Sequence, residues 1–177
     1  NYPAQPMCSE IREYARSGCA MGIKVHSMLG GFSVNSDAMV RIAGLCAGLG
    51  LPMMFHDGSP PYADGLQIAA LGEVFPSLKI ILGHAGICDL WHDSVVAAEQ
   101  NRNIWLCFCC SAVGDVEKTV ARVDSDRLLF GTDFYGIEDF TSYIDNTLDG
   151  VRMAGIPENV KQKILYGNAR RLMRMQE

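Results

Sequence analysis

Two hydrophobic spacings alternate along this chain. Short β-rich runs recur at Gly22-Ile-Lys-Val-His26, Pro52-Met-Met-Phe-His56, Lys79-Ile-Ile-Leu-Gly83, Asn103-Ile-Trp-Leu-Cys-Phe-Cys-Cys110 and Arg127–Thr132. A run such as Met53-Met54-Phe55, apolar at every position, predicts a strand covered on both faces. Pro52 starts that strand, where its missing N–H costs the sheet little. Between the runs the spacing becomes helical. Met7, Ile11, Tyr14 and Ala15 define one face of a helix over Met7–Ser17, with Gly18 as its stop. Asn35-Ser36-Asp37 offers caps for a helix reaching about Leu49, stopped by Gly48 and Gly50. Further helices are predicted over Ala63–Phe75, ended by Pro76, over Ile87–Asn101, around Asp115–Val123 and over about Glu138–Ala154. The last starts near Pro157, a favoured first-turn residue, and runs through Ile164 toward Leu172. Gly30-Gly31 reads as a turn.

One helix followed by five strand-and-helix repeats argues an α/β fold, a parallel sheet with right-handed crossovers. No linker or break in composition divides it, so residues 1–177 read as a single domain. His56 and His84 close the second and third strands, and Asp133 follows the fifth. In a TIM, or (β/α)8, barrel the strand C-termini surround one mouth, which brings such residues together. Imidazole and carboxylate donors suit Zn²⁺, with Mn or Fe as alternatives, and a catalytic zinc keeps one position open for water. A neighbouring carboxylate can take that water's proton. The pattern therefore predicts a divalent metal held by His56, His84 and Asp133.

Composition narrows the partners. A formal charge of −5 without a Lys/Arg cluster argues against nucleic-acid binding. No apolar run approaches the roughly 18 residues needed to cross a bilayer, and the N-terminus lacks the basic-then-apolar order of a signal peptide. Seven cysteines, an odd number set mostly in apolar segments, differ from a disulfide framework and fit a reduced, cytoplasmic compartment. A small-molecule substrate is expected.

Gly22-Ile-Lys-Val-His26, Pro52-Met-Met-Phe-His56, Leu82-Gly-His-Ala-Gly86, Phe130-Gly-Thr-Asp-Phe134 and Ile164-Leu-Tyr-Gly-Asn-Ala-Arg-Arg-Leu172 resemble, in order, the second half of an amidohydrolase-related (amidohydrolase 2) protein. The resemblance implies a TIM barrel of metal-dependent hydrolase type, incomplete here and comprising strands four to eight. It implies His56 as a metal ligand, Asp133 as a ligand that doubles as general base, and His84 as a helper that orients water, polarises substrate or binds a second metal. Lys24 stands where some binuclear members carry a carboxylated lysine. The family's first strand supplies a His-x-His pair, and none of His26, His56, His84 and His92 forms one. The implied reaction is attack of metal-activated water on a carbonyl C–O or C–N centre of a small organic acid, ester, lactone or amide. Decarboxylation of an unsaturated or aromatic acid is the alternative on the same scaffold. A non-catalytic half-barrel is the third reading, since five parallel strands leave open edges that predict a homo-oligomer.

Other polar residues fall near the same strand ends. Asp57, Ser111 and Tyr135 follow strands, and His26 shares a strand face with Lys24, so these are candidate substrate contacts. Strand alternation puts Cys107 and Cys109 on one side and Phe108 and Cys110 on the other, which favours core packing over a Cys-x2-Cys site. His92 reads as a solvent-facing or capping helix residue. Asn168 to Arg171 reads as a structural contact beneath the barrel or a helix cap.

Overall fold

The computed structural model describes residues 4–109, 111–134 and 140–173. Helix α1 (Ala4–Ser17) leads into β1 (Ile23–Val25), and four further parallel strands follow: β2 (Met53–Phe55), β3 (Ile80–Leu82), β4 (Ile104–Phe108) and β5 (Leu128–Phe130). They are joined by α2 (Ser27–Gly30) with α3 (Asp37–Leu49), then by α4 (Gly65–Val74), α5 (Ile87–Gln100) and α6 (Val113–Val120). After β5 come α7 (Phe140–Arg152), α8 (Glu158–Gln162) and α9 (Asn168–Leu172). Strand order in the sheet is β1-β2-β3-β4-β5, all parallel. Each strand thus pairs with its neighbour in sequence, as a barrel wall requires and a doubly wound sheet does not.

The strands are shorter than the apolar runs that announce them, although flanking residues such as Pro52, His56 and Gly83 still exchange backbone hydrogen bonds with the neighbouring strand. Two elements depart from expectation. The turn expected at Gly30-Gly31 is preceded by the four-residue α2, which Gly31 closes at φ 66°. The final helix, expected to be continuous, is interrupted by a π-helical turn over Lys163–Gly167. Elsewhere the local chemistry follows the sequence: Ser36 Oγ accepts from the Met39 N–H, and Gly50 ends α3 at φ 68°. Asp64 and Gln67 form a reciprocal capping box that starts α4.

The register separates the two sheet faces. Outward positions such as Phe55, Ile80, Leu82, Leu106 and Leu128 are sealed against the helices in the main core. Full burial of each such side chain contributes roughly 1.5–3 kcal/mol. Inward positions Ile81, Trp105, Cys107 and Leu129 form a smaller cluster with Leu172 of α9, and Met54 lies beside them. Lys24 pairs in register with Met54, and Met54 with Ile81, so Lys24 belongs to the inner row as well. At the opposite end from the candidate site, Asn168 Nδ2 donates to the carbonyls of Ser125 and Leu128, each at 2.7 Å, the structural role expected of it. His92 is exposed, also as expected.

Candidate functional site

The inner rows of the strands, extended beyond the sheet, converge on one rim. His56 lies two residues past Met54, Cys109 two past Cys107 and Asp133 four past Leu129. His84 arrives differently, on a tight turn after β3, and its Nε2 comes within 2.8 Å of His56 Nδ1. One ring donates and the other accepts. His26 stacks on the far side of His56, ring centroids 3.8 Å apart and planes 13° from parallel.

The turn that carries His84 is unusual backbone. Ala85, Gly86 and Ile87 all have positive φ, at 46°, 98° and 47°. For a β-branched residue such as Ile87 this is a genuine outlier. The turn is held from beneath by Asp57. Its Oδ1 accepts the His84 N–H at 2.7 Å, its Oδ2 accepts the Gly86 N–H at 2.6 Å, and the Ser94 hydroxyl reaches Oδ2 at 3.4 Å. Asp57 is 0% exposed. Expected among the substrate contacts, it is instead sealed behind the turn, its carboxylate matched to converging N–H groups. Burial raises its pKa, while those two bonds favour the ionised carboxylate and oppose the rise.

Desolvation also sets the protonation of the histidines. His56 is pulled down to about 4, first by burial and then by its neighbours His84, His26 and Lys24. His84 is lowered, again chiefly by burial, with Asp57 and Asp133 opposing. Both rings are thus held neutral near pH 7, the state a metal ligand needs. Lys24 is an exposed residue, yet burial of its ammonium outweighs Asp133 and Asp57 and lowers its pKa. A Cβ on Gly83 would stand 3.2 Å from Lys24 Nζ, so the glycine leaves room for the ammonium beneath the histidines.

Asp133 is exposed and adopts φ 50°, a left-handed conformation that aspartate tolerates better than most residues. One donor atom each from His84, Cys109 and Asp133 lie within 4.8 Å of one another. These residues and His56 line a cavity of about 240 Å³, walled by Ala85, Ile87, Trp91 and Ala112 and edged by Ser111 and Asp115. Lys24 and His26 line a second, more open cavity of about 350 Å³ with Leu29 and Phe32. Tyr135 lies outside the described residues.

Strand alternation, read alone, assigned Cys109 to the core. It is only 5% exposed, but it faces the cavity. The same alternation carried one step further finds it, since its inner row is that of His56 and Asp133. Trp91, on the helix predicted over Ile87–Asn101, also borders the site, which the helical spacing does not signal.

Comparison with known proteins places this geometry. A 2,6-dihydroxybenzoate decarboxylase from Rhizobium superposes with a TM-score of 0.70 at 18% identity, over 97% of this chain and 68% of that one. A TIM-barrel protein from Bordetella bronchiseptica gives 0.79 at 16% identity, over 98% and 64%. A dihydroxybenzoic acid decarboxylase from Polaromonas, solved with bound manganese and the inhibitor 2-nitroresorcinol, gives 0.58 at 20% identity, over 82% and 56%. This chain thus spans about two thirds or less of these barrels, and the five-stranded sheet is an incomplete TIM barrel. No curated protein matches. The amidohydrolase family model matches residues 3–175, nearly the whole length, and with that match the chain belongs to the amidohydrolase family.

Proposed function

We propose that this chain carries part of the active site of a metal-dependent hydrolase acting on a small organic acid, ester, lactone or amide. The observation that carries the reading is the convergence of His84 and Asp133, with His56 against His84, on one apolar-walled cavity at the strand ends. The donor set fits a divalent cation: neutral imidazoles, a carboxylate and a thiol, three of them mutually within 4.8 Å. His56, His84 and Asp133 would hold it, and when bound it supplies Lewis-acid polarisation and a lowered water pKa. Zinc is the first choice for such donors.

The chain's own groups have separable tasks. The 2.8 Å separation of His56 Nδ1 and His84 Nε2 is a direct hydrogen bond, which couples the tautomers of the two rings and which a cation held by both would replace. His84, seated by Asp57, can donate toward an oxygen on which negative charge develops. Asp133, exposed at the rim, can accept a proton from water or return one to a leaving group. Trp91, Ala85 and Ala112 keep the reacting centre dry on one side.

Decarboxylation is the second reading, and a specific observation favours it. The cavity wall is apolar and aromatic, suited to an unsaturated or aromatic acid, and two similar structures are decarboxylases of dihydroxybenzoic acids. We also propose self-association, because β1 and β5 each pair on one side only among the described residues.

Metal analysis of the purified chain tests the site. We expect bound zinc, manganese or iron, with occupancy lowered in both Asp133→Asn and His56→Ala. Metal below about 0.1 equivalent in the unaltered chain would overturn the reading.

A further inference from the structure

We propose that Cys109 is a thiolate ligand of the cation site, which makes it a mixed nitrogen, sulfur and oxygen centre. The inference rests on the metal-dependent reading above and deepens it. Two features place the sulfur there. Inner-row alternation along β4, through Trp105 and Cys107, delivers Cys109 to the rim where Asp133 stands. Cys109, His84 and Asp133 each offer a donor atom within 4.8 Å of the other two.

The chemistry that follows is specific. As the sulfur–metal bond forms, the Sγ–H proton leaves to solvent, with no change of oxidation state. A thiolate is a soft donor, so it raises preference for zinc and cobalt(II) over manganese, whose affinity rests on carboxylate, imidazole and water. The site would then differ in metal choice from the manganese-bound decarboxylase of Polaromonas. A serine at the same position would keep the volume and polarity while removing the softness.

Cobalt(II) titration of the purified chain tests this. A thiolate-to-cobalt charge-transfer band in the near ultraviolet is expected, lost in Cys109→Ser and retained in Cys107→Ser. Zinc affinity should fall by about tenfold or more in Cys109→Ser, while manganese affinity changes by less than about twofold. Zinc K-edge absorption on the unaltered chain needs no variant, and a sulfur neighbour at about 2.3 Å supports the assignment. Cobalt or zinc bound with nitrogen and oxygen donors only would overturn the role of Cys109 and leave the cation site standing. A charge-transfer band that persists in Cys109→Ser would also overturn it, placing the sulfur elsewhere. Failure to bind either ion would overturn both.

Discussion

Asp57 Oδ1 accepts the backbone N–H of His84 at 2.7 Å, so a fully buried carboxylate sets the position of a site histidine without touching its ring. The other oxygen takes the Gly86 N–H, which makes the turn's conformation depend on a single side chain. Asp57→Asn keeps the shape but turns an NH₂ toward one of those N–H groups. Leaving a buried N–H unpaired costs about 1–3 kcal/mol. We expect a lower urea midpoint together with a drop in metal affinity of about tenfold or more, the range seen when a ligand's support is removed. Asp57→Asn with unchanged metal affinity would show that the carboxylate serves the fold alone.

Gly86 meets the same turn from the backbone side. Its φ of 98° is reached by L-residues only under strain, and a Cβ would stand 2.2 Å from the Leu90 carbonyl oxygen. Gly86→Ala should therefore destabilise by about 2 kcal/mol or more and release the N–H from Asp57. Hydrogen exchange would report the release as faster exchange at Gly86 and His84, and native-like protection at both would contradict the account.

How far the sequence disclosed this architecture depended on how local each cause was. The strands were legible because Met53-Met54-Phe55 and Ile80-Ile81-Leu82 are apolar at every position, and the crossover order followed from the helical spacing between them. The convergence of His56, His84 and Asp133 on one rim was legible because each is a ligand-type residue at or just past a strand end. Asp57 was misread for the same reason. A carboxylate after a strand looks alike whether it faces substrate or caps N–H groups, and only the positive-φ turn at residues 85–87, invisible in residue types, separates the two. Helix α2 escaped because four residues carry no period. Cys109 escaped because a cysteine in an apolar strand is most often core, and deciding otherwise requires knowing which face is the lumen.

A group remote from the site provides a pH signature of the fold. Cys46, in α3, is 0% exposed, and burial pushes its thiol up to about 11 from 9.0, with Cys8 adding to the effect. A folded pKa above the unfolded one means that the native state keeps a proton the unfolded chain gives up. The contribution to stability is thus complete below pH 9 and is lost as pH rises toward 11. Two units correspond to about 2–3 kcal/mol as an upper bound. Comparing urea midpoints at about pH 8 and about pH 11 in the unaltered chain and in Cys46→Ala isolates the effect from other groups. The unaltered chain should lose more stability across that interval than the variant. Equal losses would show the thiol to be reached by water.

The last prediction concerns the closure that fixes β3 and β4 from below. Asn103 Nδ2 donates to the carbonyls of Gly72, Phe75 and Leu78 at 3.1, 3.1 and 3.0 Å, which ties the end of α4 and the loop into β3 to the start of β4. Asn103→Ala removes the donors and should cost about 1–3 kcal/mol. Asn103→Asp is nearly isosteric, yet it replaces the donor with a carboxylate facing three carbonyl oxygens, so it should be the more damaging of the two. Acid works in the opposite direction: once protonated, the introduced carboxyl regains one donor, so the gap between the aspartate and alanine variants should narrow as pH falls toward about 4. Urea unfolding of both variants at about pH 7 and about pH 4 measures this. An aspartate variant as stable as the alanine variant at neutral pH would mean that water, not Asn103, satisfies those carbonyls.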